Sequence, residues 1–135
     1  MTAGYSGKPL VQKLGIKPGS KIAILRAPRG YGRTLGKLPA RVSRGAGLNG
    51  ALDLIQFFTS EQRDLDREFG TLARALAPAG ALWISWPKRS AGVPTDLTED
   101  VIRGIGLAHG LVDVKVIAVD DVWSGLKFVR RLKDR

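Results

Sequence analysis

Apolar positions along the chain recur with a period that changes from segment to segment, and each change marks the edge of an element. Leu10, Val11 and Leu14 share one side of a short helix predicted over 6–14, with Pro9 tolerated in its first turn and Gly15 placed to stop it. A turn at Lys17, Pro18 and Gly19 leads into a short apolar strand over 21–25. From 28 to 50, glycines and Pro39 interrupt the pattern so often that only a short strand near 41–43 is predicted.

Beyond residue 51 the pattern is regular. Bulk on alternate positions makes 52–58 a strand, and Thr59 followed by Gln62 is a capping-box signal for the next helix. Leu65, Phe69, Leu72 and Leu76 form one stripe over 61–76, before Pro78 and Gly80 end it. Segment 81–86 is apolar on both faces, as in a strand covered from two sides, so it marks the sheet centre. Trp83 and Ile84 within it are core residues.

After a loop over 87–95, a helix from 96 or 97 to 109 would bury Leu97, Val101, Ile105 and Ala108, with Asp96, Glu99 and Asp100 at its positive end and Gly110 as its stop. Segments 112–119 and 126–131 read as strands that pair antiparallel across 120–125, Trp123 and Phe128 packing the hairpin on a helix. This succession is the grammar of an α/β sheet with right-handed crossovers and an antiparallel pair at its end.

The chain has 135 residues, enough for one domain (1–135) with a real core. It has no Cys and a single His, so disulfides, thiolate metal sites, cysteine nucleophiles and sites built on several histidines are excluded. His109, placed at a helix C-terminus, reads as structural. Asp120 with Asp121 reads as a turn rather than a cation site, and no metal is predicted. Asp96 and Glu99 read as first-turn helix acids rather than an acid and base pair.

Charge is uneven. Residues 1–50 hold ten Lys and Arg and no acid, whereas 51–135 hold twelve of each sign, so the formal +10 belongs entirely to the first part. Such a stretch raises a potential that gathers phosphate, nucleic acid or an acidic protein. No signal-peptide run opens the chain and nowhere do 18 apolar residues run together, so no membrane partner and a cytoplasmic location are expected.

From about Leu10 onward the order of elements resembles class I S-adenosylmethionine-dependent methyltransferases, whose parallel sheet closes with an antiparallel hairpin strand. LGIKPG at 14–19 resembles that family's entry into its first strand, LDLI at 52–55 the start of its fourth, and LAPAG at 76–80 with ALWISW at 81–86 its helix exit and fifth strand. GYSGKPL at 4–10, SWPK at 85–88, GVPTDLTED at 92–100 and WSGLKFVRR at 123–131 are similar to a family of small bacterial proteins classed only as methyltransferase-like. The resemblance implies a reduced, Rossmann-like sheet, mostly parallel.

It also implies where a cofactor would sit. In the methyltransferases the first strand ends in an acid followed by glycines at alternating positions. Here the acid falls at Ile24 and the glycines at Arg26, Pro28 and Gly30, of which only the last is kept, and no carboxylate precedes Asp53 to hold a ribose. Segment 26–51 is too short for two complete strand–helix crossovers, so at least one is expected to be missing. No cofactor is predicted on this reading, with S-adenosylmethionine as the alternative.

Ligands in open α/β sheets bind beyond the carboxyl ends of the strands. The residues expected there are Arg26, Arg29 and Tyr31, then Thr59 and Ser60, then Trp86, Lys88, Arg89 and Ser90. Arginines fork onto phosphate, a helix start near Ser60 would offer N–H groups, and Trp86 or Tyr31 could stack on a base. The sequence therefore points to a non-catalytic, methyltransferase-like module for an anionic ligand or partner. The alternatives are a methyltransferase with an atypical cofactor site and a structural interaction domain.

Overall fold

Alternation decides how the strands are used. In the strand Leu52–Phe58, Leu54 and Phe58 face one side while Ile55 and Phe57 face the other, and all four are buried. A strand apolar on both faces must be covered twice, and burying each such side chain contributes about 1.5–3 kcal/mol. The computed structural model, which describes residues 7–45 and 47–135, satisfies this with helices on both sides of one sheet.

In chain order the elements are α1 (Leu10–Leu14), β1 (Lys21–Leu25), α2 (Tyr31–Leu35), β2 (Ser43–Gly45), β3 (Leu52–Phe58), α3 (Gln62–Arg74), β4 (Leu76–Pro87), α4 (Glu99–Ala108), β5 (Leu111–Ala118) and β6 (Trp123–Arg130). The sheet order is β2-β1-β3-β4-β6-β5. Strands β2, β1, β3 and β4 run parallel, and β6 runs antiparallel to both β4 and β5. The architecture is thus the mostly parallel α/β sheet with an antiparallel C-terminal pair that the pattern of strands and helices implies.

One core lies under α3 and α4, where Leu65, Phe69, Leu72, Ile102 and Ile105 meet Ile55, Phe57, Leu82, Ile84 and Phe128. The other lies under α1 and α2, where Leu14, Tyr31 and Leu35 meet Ile22, Leu54, Phe58 and Trp83. The Trp83 indole N–H donates to the Leu14 carbonyl at 2.9 Å, tying the end of α1 to the sheet.

Several boundaries differ from the sequence pattern. The helix predicted over 6–14 begins at Leu10, and position 6 lies outside the described residues. The strand near 41–43 is displaced to Ser43–Gly45 because Arg41 takes a left-handed φ of 59° and turns the chain first. Helix α2 was not expected. It is nucleated by a turn in which Tyr31 N–H donates to the Pro28 carbonyl, with Gly30 left-handed at φ 81°.

Leu76 begins β4 rather than ending α3, pairing with Leu52 ahead of a register shift. Gly80 permits that shift, since a Cβ there would lie 2.6 Å from the Leu52 carbonyl oxygen. Helix α4 starts at Glu99 behind a Thr98 cap, and its buried side centres on Ile102, Ile105 and Gly106, with Val101 packed partly buried at its edge and Ala108 exposed. The face rotates because Phe128 sits against the bare Gly106 backbone. Strand β6 begins at Trp123, whose ring packs edge-on against Phe58 of β3, 5.1 Å away, beside the core under α1 and α2.

Among its described residues, segment 26–51 holds α2 and the three-residue β2. Leu48 packs against the core on the α3 side, and no helix lies between β2 and β3 among the described residues. A strand–helix crossover is reduced there to a loop.

Candidate ligand-binding rim

The order reverses at β1, which continues to β2 on one side and lies beside β3 on the other. Ligand crevices in such sheets open at the carboxyl ends of the strands flanking that point, here Leu25 and Phe58. Two of the expected rim residues, Arg26 and Tyr31, are turned onto the protein's own side chains. Arg26 takes a left-handed φ of 59° and turns its guanidinium over the Phe57 ring, 5.0 Å from its centroid, toward Asp64 at 3.2 Å and Glu68 at 4.0 Å on α3.

Tyr31 points inward, 3% exposed, with its ring edge-on to Phe58 at 4.8 Å. Its hydroxyl donates to Gln56 Oε1 at 2.6 Å, and Gln56 Nε2 donates to Ser85 Oγ at 3.1 Å. This chain of three polar side chains runs beneath the rim, and Gln56 and Ser85 are fully buried. It leaves no polar side-chain atom orphaned in the described interior. The expectation that Tyr31 could stack on a base is therefore corrected, because the ring is core. The two polar interruptions in the apolar runs 52–58 and 81–87 were the signal for this chain.

Thr59 is buried, and its hydroxyl accepts the Glu61 N–H at 3.2 Å in a local turn. At the helix start expected near Ser60, one of the first-turn donors is engaged internally, Gln62 N–H donating to Asp96 Oδ1 at 2.7 Å. Asp96 thus caps α3 from a distant loop rather than beginning α4. Thr95 adds a second tie, its hydroxyl donating to the Ser60 carbonyl at 2.6 Å.

Trp86 is buried at the floor of a depression of about 590 Å³, whose walls include Arg89, Val93, Thr95, Thr98 and Glu99. Arg29, Arg89 and Ser90 are exposed and Lys88 is half-buried, with its N–H donating to the Val122 carbonyl. The open part of the rim is therefore Arg29, Lys88, Arg89 and Ser90, while Arg26, Tyr31, Thr59 and Trp86 serve packing and internal bonds.

The remaining candidates are structural. Asp120 Oδ1 accepts the N–H groups of Val122 and Trp123, both at 2.8 Å, shaping the β5–β6 turn. His109 caps α4, Nδ1 lying 2.9 Å from the Ile105 carbonyl with the ring against Phe69. Among the described residues no three acidic or imidazole side chains gather as a metal set, and no helix is long and apolar enough to cross a membrane.

Charge is segregated between the faces. Arg26, Arg63 and Arg67 pair with acids of α3 or its cap, and Arg103 joins Glu99, Asp100 and Asp113 on the α4 side. These bonds hold the Asp113 carboxyl below the usual range, chiefly through Arg103, and hold the Arg103 guanidinium above its own. By contrast Lys8, Lys17, Arg29, Arg33, Lys37 and Arg41 have no carboxylate within ion-pair distance among the described residues.

No protein-family model and no curated protein matches the chain. Solved structures do. A SAM-dependent methyltransferase from Aquifex aeolicus is similar at a TM-score of 0.64 and 14% identity, over 93% of this chain and 89% of its own. A putative methyltransferase from Thermoplasma acidophilum follows at 0.59 and 10% identity, over 93% and 75%. Fibrillarin from Aeropyrum pernix, in complex with S-adenosyl-L-methionine, stands at 0.57 and 14% identity, over 93% and 70%. The chain has the Rossmann-like fold of class I methyltransferases in a reduced form.

Proposed function

We propose that this protein is a non-catalytic, methyltransferase-like module of the cytoplasm that binds an anionic ligand or partner, nucleic acid foremost, through its basic first third and the open cations of the rim. The observation that carries the reading is the segregation of charge. Asp64 and Glu68 of α3 and Glu99 and Asp100 of α4 are engaged with arginines, so among the described residues Lys8, Lys17, Arg29, Arg33, Lys37 and Arg41 stand without a carboxylate within ion-pair distance. A field of one sign concentrates polyanions and weakens with salt. Fluorescence anisotropy with a labelled ~20-nucleotide RNA or DNA should show binding at low ionic strength that falls linearly in a plot of log affinity against log salt. No binding of either at low salt would remove the reading.

A second reading, methyl transfer from S-adenosylmethionine, is favoured by the fold likeness, which includes a relative bearing that cofactor. The residues at the switch point do not fit the group. Ile24 stands where the resemblance calls for an acid, Pro28 lacks an N–H, Arg26 brings a Cβ and a guanidinium to a turn suited to glycine, and Tyr31 packs the space beneath. A backbone that cannot be approached closely holds a nucleoside poorly. No catalytic step is therefore derived.

A further inference from the structure

Four lysines without a carboxylate partner among the described residues lie along the α1 side of the sheet: Lys17 before β1, Lys127 on β6, Lys115 on β5 and Lys88 after β4. Lys13 of α1 sits among them, 8% exposed, with its ammonium donating to the Ala118 carbonyl at 2.6 Å. Lys115 Nζ reaches the Lys13 carbonyl at 3.5 Å, and Lys127 Nζ stands 6.0 Å above the Trp83 ring. Lys17 and Lys127 share a depression of about 420 Å³ with Ser20, Leu54 and Ala81. Its one acidic wall residue, Asp53, has its carboxylate on the Lys21 N–H at 2.9 Å.

These ammonium groups feel one another. Burial first, then Lys115 and Lys17, hold Lys127 below the usual lysine range; burial first, then Lys115 and Lys88, do the same for Lys13. With the Lys115 contact to Lys13, the pairing of Lys115 with Lys127 across β5 and β6, and the depression that Lys127 shares with Lys17, these neighbours form a row, Lys88, Lys13, Lys115, Lys127 and Lys17, from the carboxyl ends of the strands to their amino ends. At ~3.3 Å per residue, the stretch from Ala81 of β4, beside Lys17 and Lys127, to Lys88 spans roughly 23 Å. Crowded cations cost stability, and among the described residues no carboxylate lies within ion-pair distance of Lys17, Lys88, Lys115 or Lys127 to offset it, the kind of local conflict that a fold keeps for a ligand. The length of the row exceeds a single phosphate group and suits a chain of them.

We infer that this lysine row is a track for the phosphodiester backbone of a nucleic-acid strand. The assignment rests on the anion-binding reading and locates it on the sheet face rather than at the crevice. Backbone neutralisation of this kind releases counterions and confers affinity without sequence choice.

The test compares wild type with K17Q/K115Q/K127Q and with a control of equal charge loss on the opposite face and C-terminus, R63Q/R74Q/K133Q. Anisotropy with a labelled ~20-nucleotide strand should show the track variant weakened at least ~10-fold and its salt slope reduced by about 2, at ~0.7 per lost contact, while the control changes little. The track variant should melt close to wild type, the repulsion it removes offsetting the Lys127 contact with Trp83 and the Lys115 bond to the Lys13 carbonyl that it loses. On wild type, bound oligonucleotide should protect Lys17 and Lys127 from amine acylation read by mass spectrometry, a readout that needs no variant to fold.

Wild-type binding with an unaffected track variant, or unprotected Lys17 and Lys127, would overturn the track while leaving the anion-binding reading intact. No wild-type binding would overturn both. Polyaspartate of matched charge displacing the strand at equal concentration would assign the row to an acidic polypeptide and overturn the nucleic-acid assignment.

Discussion

Arg26 and Asp64 lie 3.2 Å apart across the gap between the end of β1 and the first turns of α3, and Arg26 makes that reach from a left-handed backbone with φ 59°. A residue with a Cβ in that conformation costs about 1–2 kcal/mol, which glycine avoids. The ion pair and the stacking over Phe57 offset part of that cost, although the Arg26 side chain is 43% exposed and an exposed pair contributes only ~0.2–1 kcal/mol. Keeping an arginine there holds the mouth of the switch-point crevice with the protein's own side chain.

The two parts of this balance separate by mutation. Arg26→Ala keeps the strained backbone and loses the pair, so urea denaturation should show a loss of about 1 kcal/mol. Arg26→Gly loses the same contacts but relieves the strain, and should be more stable than the alanine variant by about 1 kcal/mol. Equal stabilities would mean that the turn is not strained.

Tyr31→Phe tests the buried polar chain. The ring and its contact with Phe58 survive, but Gln56 Oε1 loses its donor in a fully buried place. An unsatisfied buried acceptor costs about 1–3 kcal/mol. Denaturation midpoints should fall accordingly; an unchanged midpoint would place water at Gln56.

What was readable in the chain, and what was not, follows from range. The strands 52–58 and 81–86, the helix stripe from Leu65 to Leu72 and the antiparallel end were legible because each is a local period of apolar residues. Helix α2 was not, since a five-residue helix between Gly30 and Gly36 carries too few positions to set a period. Asp96 and Tyr31 were misplaced for a different reason. Both bond to residues more than twenty positions away, Gln62 and Gln56, and propensity says nothing about partners at that distance. Arg26 and Pro28 were readable as departures from the glycine turn that the resemblance implies, whereas the contacts of Arg26 with Asp64 and of Tyr31 with Gln56 are visible only in three dimensions.

Two glycines of α4 should respond to alanine with opposite signs. At Gly106 a Cβ would lie 2.1 Å from Phe128 Cε1, and the ring is already held edge-on against Phe69. Overpacking of this kind costs about 1–3 kcal/mol. At Gly104 nothing lies within 4 Å, so Gly104→Ala should stabilise by roughly 0.5–1 kcal/mol through helix propensity. Thermal melts of the two variants check both signs.

Asp113 sets an acid dependence. Its carboxyl is held low in the fold, first by the Arg103 hydrogen bond, so the unfolded chain takes up its proton at a higher pH than the folded one. Its contribution is present above the ordinary carboxylate range near ~4 and is lost as the pH falls through the depressed folded value. Stability measured from neutral to strongly acid pH should drop less steeply in Asp113→Asn than in wild type; parallel curves would contradict the assignment.

This sheet keeps the methyltransferase architecture, and at its switch point Arg26 and Tyr31 are engaged with the protein's own side chains. Isothermal titration calorimetry of the whole chain with S-adenosylhomocysteine is the decisive experiment for the proposal that no nucleoside is held there. No saturable heat is expected up to a concentration of ~1 mM, where even weak binding near that Kd would register. A saturable isotherm with a stoichiometry near one, abolished by crowding the turn further through Gly30→Val, would contradict it.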